Sequence, residues 1–145
     1  MPNKNEEVLS FLPQPLRFAI SGGLGNLCFF FIDKAVYMYN PFDWQKATVS
    51  WAVSYLISVW LQHSLHTLLV FGRSSEGGYW TSLAVTYATY SVSIALSPVV
   101  NAALINYVGL SHSLAWFGTL ASTGVLNYFT VSKAMSTADK DQKEL

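Results

Sequence analysis

The chain has 145 residues, of which 52% are hydrophobic, 15% aromatic and 11% charged, against roughly 25% charged in an ordinary soluble domain. Eight Lys and Arg balance eight Asp and Glu, so no basic surface points to nucleic acid and no acidic block to a charged partner. A single cysteine, Cys28, excludes an intramolecular disulfide and leaves no cysteine-based metal site.

Residues 1–15 read as a cytoplasmic lead-in. Lys4, Glu6 and Glu7 precede "FLPQPLRF", with no short apolar core and small-residue cleavage site, so this stretch does not read as a secretory leader. Pro13 and Pro15 suit an interface just before a helix begins. A first apolar helix is expected over about 17–38, opening "RFAISGGLGNLC". Its Gly22, Gly23 and Gly25 favour close approach by another backbone, and they lack the strand-to-helix context of a phosphate-binding loop. Arg17 either anchors this helix among anionic headgroups or pairs with a lipid phosphate, for which its planar guanidinium suits bidentate contact. Asp33 and Lys34, toward the other end, are each expected to snorkel to the outer interface.

A second uncharged run, residues 47–72, holds a helix over about 47–71. Ser50, Ser54, Ser58, Gln62 and His66 recur every fourth position and so share one face. The stretch "LQHSLHTLLVF" places Gln62, His63 and His66 in surroundings where polar groups are costly. His63 and His66 could meet one metal ion, but no further ligands stand at zinc-like spacing. A proton relay needs several ionisable groups across the bilayer, and only Asp33 is at hand.

Residues 77–132 contain no Asp, Glu, Lys or Arg, enough chain for two helices of about 20 residues and a turn. These are placed at about 80–107 and 113–133. The third helix carries Thr86, Tyr90, Ser93, Ser97 and Asn101, with Pro98 able to bend it. The fourth carries Thr119, Thr123 and Asn127. Soluble helices this long would show a charged face, and these show none. The chain therefore reads as an all-α, multi-pass integral membrane protein with four transmembrane helices.

Lys4, Arg17, Arg73, Lys133, Lys140 and Lys143 fall on one side and Lys46 and Lys34 on the other, which puts both termini in the cytoplasm. Aromatic residues suit the interfaces, with Trp44, Trp51, Tyr107 and Trp116 outside and Tyr79 and Trp80 inside. The tail, residues 136–145, ends "DKDQKEL" and reads as a solvated cytoplasmic segment; Lys143 stands where a retrieval signal has an acidic residue. The membrane is the cytoplasmic one if the source is bacterial, and an organelle or endoplasmic reticulum membrane if it is eukaryotic.

A shift of 65 positions lays the second half on the first: Trp51 on Trp116, Ser54 on Thr119, Ser58 on Thr123, Gln62 on Asn127 and His63 on Tyr128. Two helices per copy make this a parallel repeat. The hydroxyl stripes have two readings. One is helix packing, where small residues let backbones approach and hydrogen bonds contribute roughly 0.6 kcal/mol each. The other is a polar cleft for the hydroxyls of a sugar, and this gains weight at Gln62 and Asn127. His66 and Tyr90 share those faces and join them as candidate contacts. Lys133, at the end of the fourth helix, could meet a phosphate as a point charge. There is no nucleotide motif, no nucleophile–base pair and no positioned carboxylate pair, so neither catalysis nor a cofactor is expected.

"RFAISGG" opening the first helix and "LNYFTVSK" closing the fourth resemble the GtrA-like family of small membrane proteins. Members open with Arg-Phe and a Gly-Gly, here Arg17, Phe18, Gly22 and Gly23. They close the second and fourth helices with an Asn-aromatic pair followed by a polar and a basic residue. Asn127, Tyr128, Ser132 and Lys133 match in the fourth helix. In the second, Gln62 stands for the Asn, and Thr67 for the basic residue. The resemblance covers about residues 16–135. It implies flipping of a polyprenyl-phosphate-linked sugar for polysaccharide or glycolipid synthesis. The lipid phosphate would meet Arg17 and Lys133, the sugar would meet Gln62 and Asn127, and a homo-oligomer or a glycosyltransferase partner is expected. Two other functions compete: a non-transporting anchor or assembly subunit for a glycosyltransferase, and a small proton-coupled exporter. The exporter wants an acidic residue deep in the first helix, and Asp33 lies too near its end.

Overall fold

The structure is a computed structural model. It describes Leu9, residues 11–71 and residues 78–143, with side chains described over residues 9, 11–70 and 78–129. Four helices follow one another: α1 (Gln14–Tyr39), α2 (Lys46–His66), α3 (Tyr79–Asn106) and α4 (His112–Lys143). Among the described residues there is no strand. The helices alternate in direction, giving a near end, where α1 and α3 begin and α2 finishes, and a far end holding the two short connections.

Pro13 precedes α1 and its carbonyl accepts from Leu16 N (3.0 Å) and Arg17 N (3.1 Å). The ring supplies a helical φ without wasting a donor. At the far end Asn40 stops α1: its Oδ1 accepts from Phe42 N (2.9 Å) and its Nδ2 donates to Ser50 Oγ (3.1 Å). Gln45 takes a left-handed conformation (φ 47°) and its Oε1 accepts from Asn106 Nδ2 (3.0 Å), tying the two far connections together. α2 loosens into a π-helical turn over Thr67–Phe71. α3 runs through Pro98 without interruption.

α4 is longer than its sequence suggests, continuing through residues 136–143, which had read as a solvated tail. Residues 134–143 contain neither Gly nor Pro, so nothing in that stretch breaks a helix already under way.

Bare serine and threonine hydroxyls on outward faces are satisfied locally. Ser64 donates to Trp60 O, Thr89 to Val85 O and Ser122 to Gly118 O, at 2.8–2.9 Å. Such back-bonding removes the cost of a hydroxyl facing hydrocarbon. Large apolar side chains including Leu27, Phe31, Val85 and Val125 are exposed, the pattern of helices surrounded by lipid rather than water.

The core lies in the far half. Phe29 sits between Trp51 (ring centroids 4.9 Å) and Trp116 (5.2 Å). Both tryptophans, expected at the outer interface, have their rings buried within the bundle. Trp51 Nε1 donates to Ser97 Oγ at 2.9 Å, and this partner lets the indole stay inside. Trp44, Trp80 and Tyr107 are exposed at the bundle ends, as a belt requires. Asp33 also departs from expectation. It does not snorkel but is fully buried, its Oδ2 2.7 Å from His112 Nε2. Lys34 reaches across to donate to Ser113 Oγ at 2.7 Å.

By length and composition α1 and α3 are the helices apolar enough to cross a membrane among the described residues. In α2 the serines, Gln62 and the histidines lower the mean hydropathy, as His112, Asn127 and the hydroxyl residues do in α4.

Candidate functional site

A cavity of about 660 Å³ occupies the near half of the bundle, within the range of about 300–1,000 Å³ common to small-molecule sites. The buried Phe29 and Trp51 close it toward the far half, and each of the four helices contributes one face. The face from α1 carries Phe18, Gly22, Asn26 and Phe29, spaced four, four and three, which is one side of a helix. Four of the residues singled out from sequence meet here: Gln62 and His66 from α2, Tyr90 from α3 and Asn127 from α4. Arg17 stands outside, at the near end, where Nη1 donates to Val70 O (3.4 Å) in the π-helical turn. The side chain of Lys133 lies outside the described residues.

The hydroxyl stripes divide by depth. In the far half they serve packing. Ser54 donates to Ser50 O (2.6 Å), Thr119 to Ala115 O (2.7 Å), and Asn101 Nδ2 to Thr119 Oγ1 (3.0 Å). In the near half Ser82, Thr86 and Thr123 line the cavity.

Three features prepare the cavity for a polar, uncharged ligand. Among the described residues its lining includes no Asp, Glu, Lys or Arg. The carboxamides of Asn26 and Gln62 make no hydrogen bond among the described residues, although both face the cavity. The third is His63, buried, with Nδ1 2.9 Å from Thr86 Oγ1, which is itself 3.0 Å from Ser82 O. Thr86 has one proton. Giving it to Ser82 O and accepting from Nδ1 completes two bonds, whereas giving it to Nδ1 completes one. Nε2 is then the bare acceptor of a neutral ring, and it has no partner among the described residues.

Other lining groups are held in place. His66 stacks on Phe18 (4.6 Å, 10° between planes) and hydrogen-bonds through Nδ1 to buried Ser21 Oγ at 2.8 Å. Ser93 donates to Asn127 Oδ1. Tyr55 directs its buried hydroxyl toward those two residues without completing a hydrogen bond to either. Gln62 packs over Gly25, where an added Cβ would lie 2.6 Å from its Cγ. Gly25 is thus the glycine that closeness requires; a Cβ at Gly22 or Gly23 would meet nothing within 4 Å, contrary to the backbone packing expected of all three.

Nothing in the sequence singles out Asn26 for a role, and His63 reads there as a metal or proton-relay candidate and as the repeat partner of Tyr128, not as a cavity group held by Thr86. For His63 the decisive contact lies on another helix and no local pattern announces it. Among the described residues no three His, Cys, Asp or Glu side chains come together to hold a metal.

Residues 17–135 match the family described as GtrA/DPMS, transmembrane domain. The chain belongs to this family. No curated protein and no solved structure matches it. Membership makes the matched region a membrane domain and supports a role connected with lipid-linked sugars. Within this GtrA/DPMS transmembrane domain the near-half cavity is the candidate site.

Proposed function

We propose that the protein moves a polyprenyl-phosphate-linked sugar between the leaflets of its membrane, the sugar passing through the near-half cavity. The observation that carries this reading is the pair of carboxamides in the cavity lining, Asn26 and Gln62, which have no hydrogen-bond partner among the described residues. A sugar offers hydroxyls to both. Ordered groups without partners inside a membrane protein are costly, and a polyol satisfies several at once. The phosphate stays at the near rim beside Arg17, since no cation lines the cavity among the described residues.

All four helices cross the membrane in this reading, as two parallel repeats with both termini cytoplasmic. The near end is then the cytoplasmic one. Equivalent residues behave alike, which supports the repeat. Trp51 and Trp116 both pack on Phe29, Ser54 and Thr119 both back-bond one turn earlier, and Gln62 and Asn127 both line the cavity. Without a nucleotide motif the movement is facilitated rather than pumped.

The test is leaflet exchange of a polyprenyl-phosphate hexose in liposomes holding the purified protein, comparing wild type with Arg17→Ala and Asn127→Leu. Exchange in the wild type that falls in both variants supports the reading. A folded protein that exchanges nothing above protein-free liposomes overturns it, and leaves an anchoring role beside a glycosyltransferase.

A further inference from the structure

Among the described residues, backbone packing joins α1 to α2, α2 to α3 and α3 to α4, but α1 and α4 scarcely approach each other. The ring of helices is therefore closed along that seam by side chains or not at all. In the far half it is closed. Phe30 packs against Trp116 and Phe117 (centroids 5.1 and 5.9 Å), Tyr37 stacks on His112 (4.3 Å), and the Asp33–His112 and Lys34–Ser113 contacts bridge the two helices. In the near half the cavity wall on these two helices includes Gly22, Asn26 and Gly124. A Cβ at either glycine would meet nothing within 4 Å, and Asn26 is exposed.

We infer that the near half of the α1–α4 seam is a lateral mouth, and that it binds the isoprenoid chain of the lipid whose head enters the cavity. The inference rests on the lipid-linked sugar as ligand. A chain that is worth about 0.8 kcal/mol per buried CH₂ does not follow its head into a polar cavity. A site for such a lipid needs a slot that opens from the cavity directly into hydrocarbon. Two glycines set the width of the slot. The carboxamide of Asn26, which would be costly against lipid alone, is placed to meet the polar head where it joins the chain.

The probe is polyprenyl phosphate carrying a diazirine in its chain, in phosphatidylcholine liposomes containing the full-length protein. Labelled positions are mapped by mass spectrometry after illumination. The expected result is labelling concentrated around Gly22 and Asn26 on α1 and Gly124 on α4, and lost on adding excess unmodified polyprenyl phosphate. Gly22→Leu and Gly124→Leu fill open space, so they are expected to fold, yet to reduce seam labelling about tenfold by overfilling the slot. Gly23→Leu is the matched control, since that position is equally open but does not line the cavity, and its labelling should stay at the wild-type level. Thermal unfolding in detergent confirms that each variant is folded, with the alanine substitutions as milder forms.

Labelling spread evenly over outward residues such as Leu27 and Val85, or untouched by competitor, overturns the mouth; so does equal loss in all three leucine variants. If exchange occurs while labelling is even, the mouth falls and the translocator stands. Competed seam labelling without exchange keeps the mouth and removes the translocator.

Discussion

In the far half of the bundle Trp51 donates to Ser97 at 2.9 Å, Asn101 to Thr119 at 3.0 Å, and Thr119 to Ala115 O at 2.7 Å. In the near half, about three helical turns along α2 from Trp51, the side chains of Asn26 and Gln62 and the Nε2 of His63 have no partner among the described residues. The residue types are much the same, drawn from the same periodic stripes. The division is not absolute: Ser93 donates to Asn127 in the near half, and Trp116 Nε1 in the far half has no partner among the described residues. Polar residues inside the bundle thus divide into those that another helix satisfies and those that it does not, and only the three-dimensional arrangement sorts them.

Substitutions should therefore move stability in the far half and transport in the near half. The largest stability loss is expected from Trp51→Ala, which removes the centre of the aromatic cluster and should cost about 3–5 kcal/mol, read as a fall in thermal unfolding temperature in detergent. His112→Ala should cost a similar amount, about 3–5 kcal/mol, by leaving the Asp33 carboxyl buried without its partner. Replacing both by leucine should restore most of that loss, and a double variant as unstable as the single one would show that the pair is not the cause. Thr119→Val should cost roughly 0.6–1.7 kcal/mol, since the donor Asn101 Nδ2 loses its acceptor.

Near-half substitutions sharpen the contrast from the other side. Gln62→Leu should leave the unfolding temperature unchanged while exchange falls about two- to tenfold, the value of one neutral hydrogen bond of about 0.5–1.5 kcal/mol. If Gln62→Leu destabilises as much as Thr119→Val, the division between the halves fails. The smallest expected effect is Gly25→Ala. An added Cβ would lie 2.6 Å from Gln62 Cγ, so the side chain must turn aside at its stem; exchange should fall less than in Gln62→Leu, with a modest drop in unfolding temperature.

Helix positions were legible because charge-free runs and proline or glycine punctuation are local properties. Four of the six candidate contacts reach one cavity because a four-residue repeat specifies a helix face. The direction of that face was legible, but its partners were not. Asp33 looked like an interfacial residue because His112, which buries it, is far along the chain. Trp51 and Trp116 sat where an aromatic belt belongs, and nothing local revealed that Phe29 lies between them. The glycines of α1 looked alike in sequence, yet Gly25 carries Gln62 against it while Gly22 faces open space.

Asp33 and His112 meet where the first and last helices come together opposite the mouth. A buried carboxyl–imidazole contact gains little net energy, because the attraction is largely offset by the hydration both groups give up. If water enters that side, the two regain hydration together, so parting the helices there costs far less than deleting either residue. The far end thus has a fastener that tolerates release better than alteration.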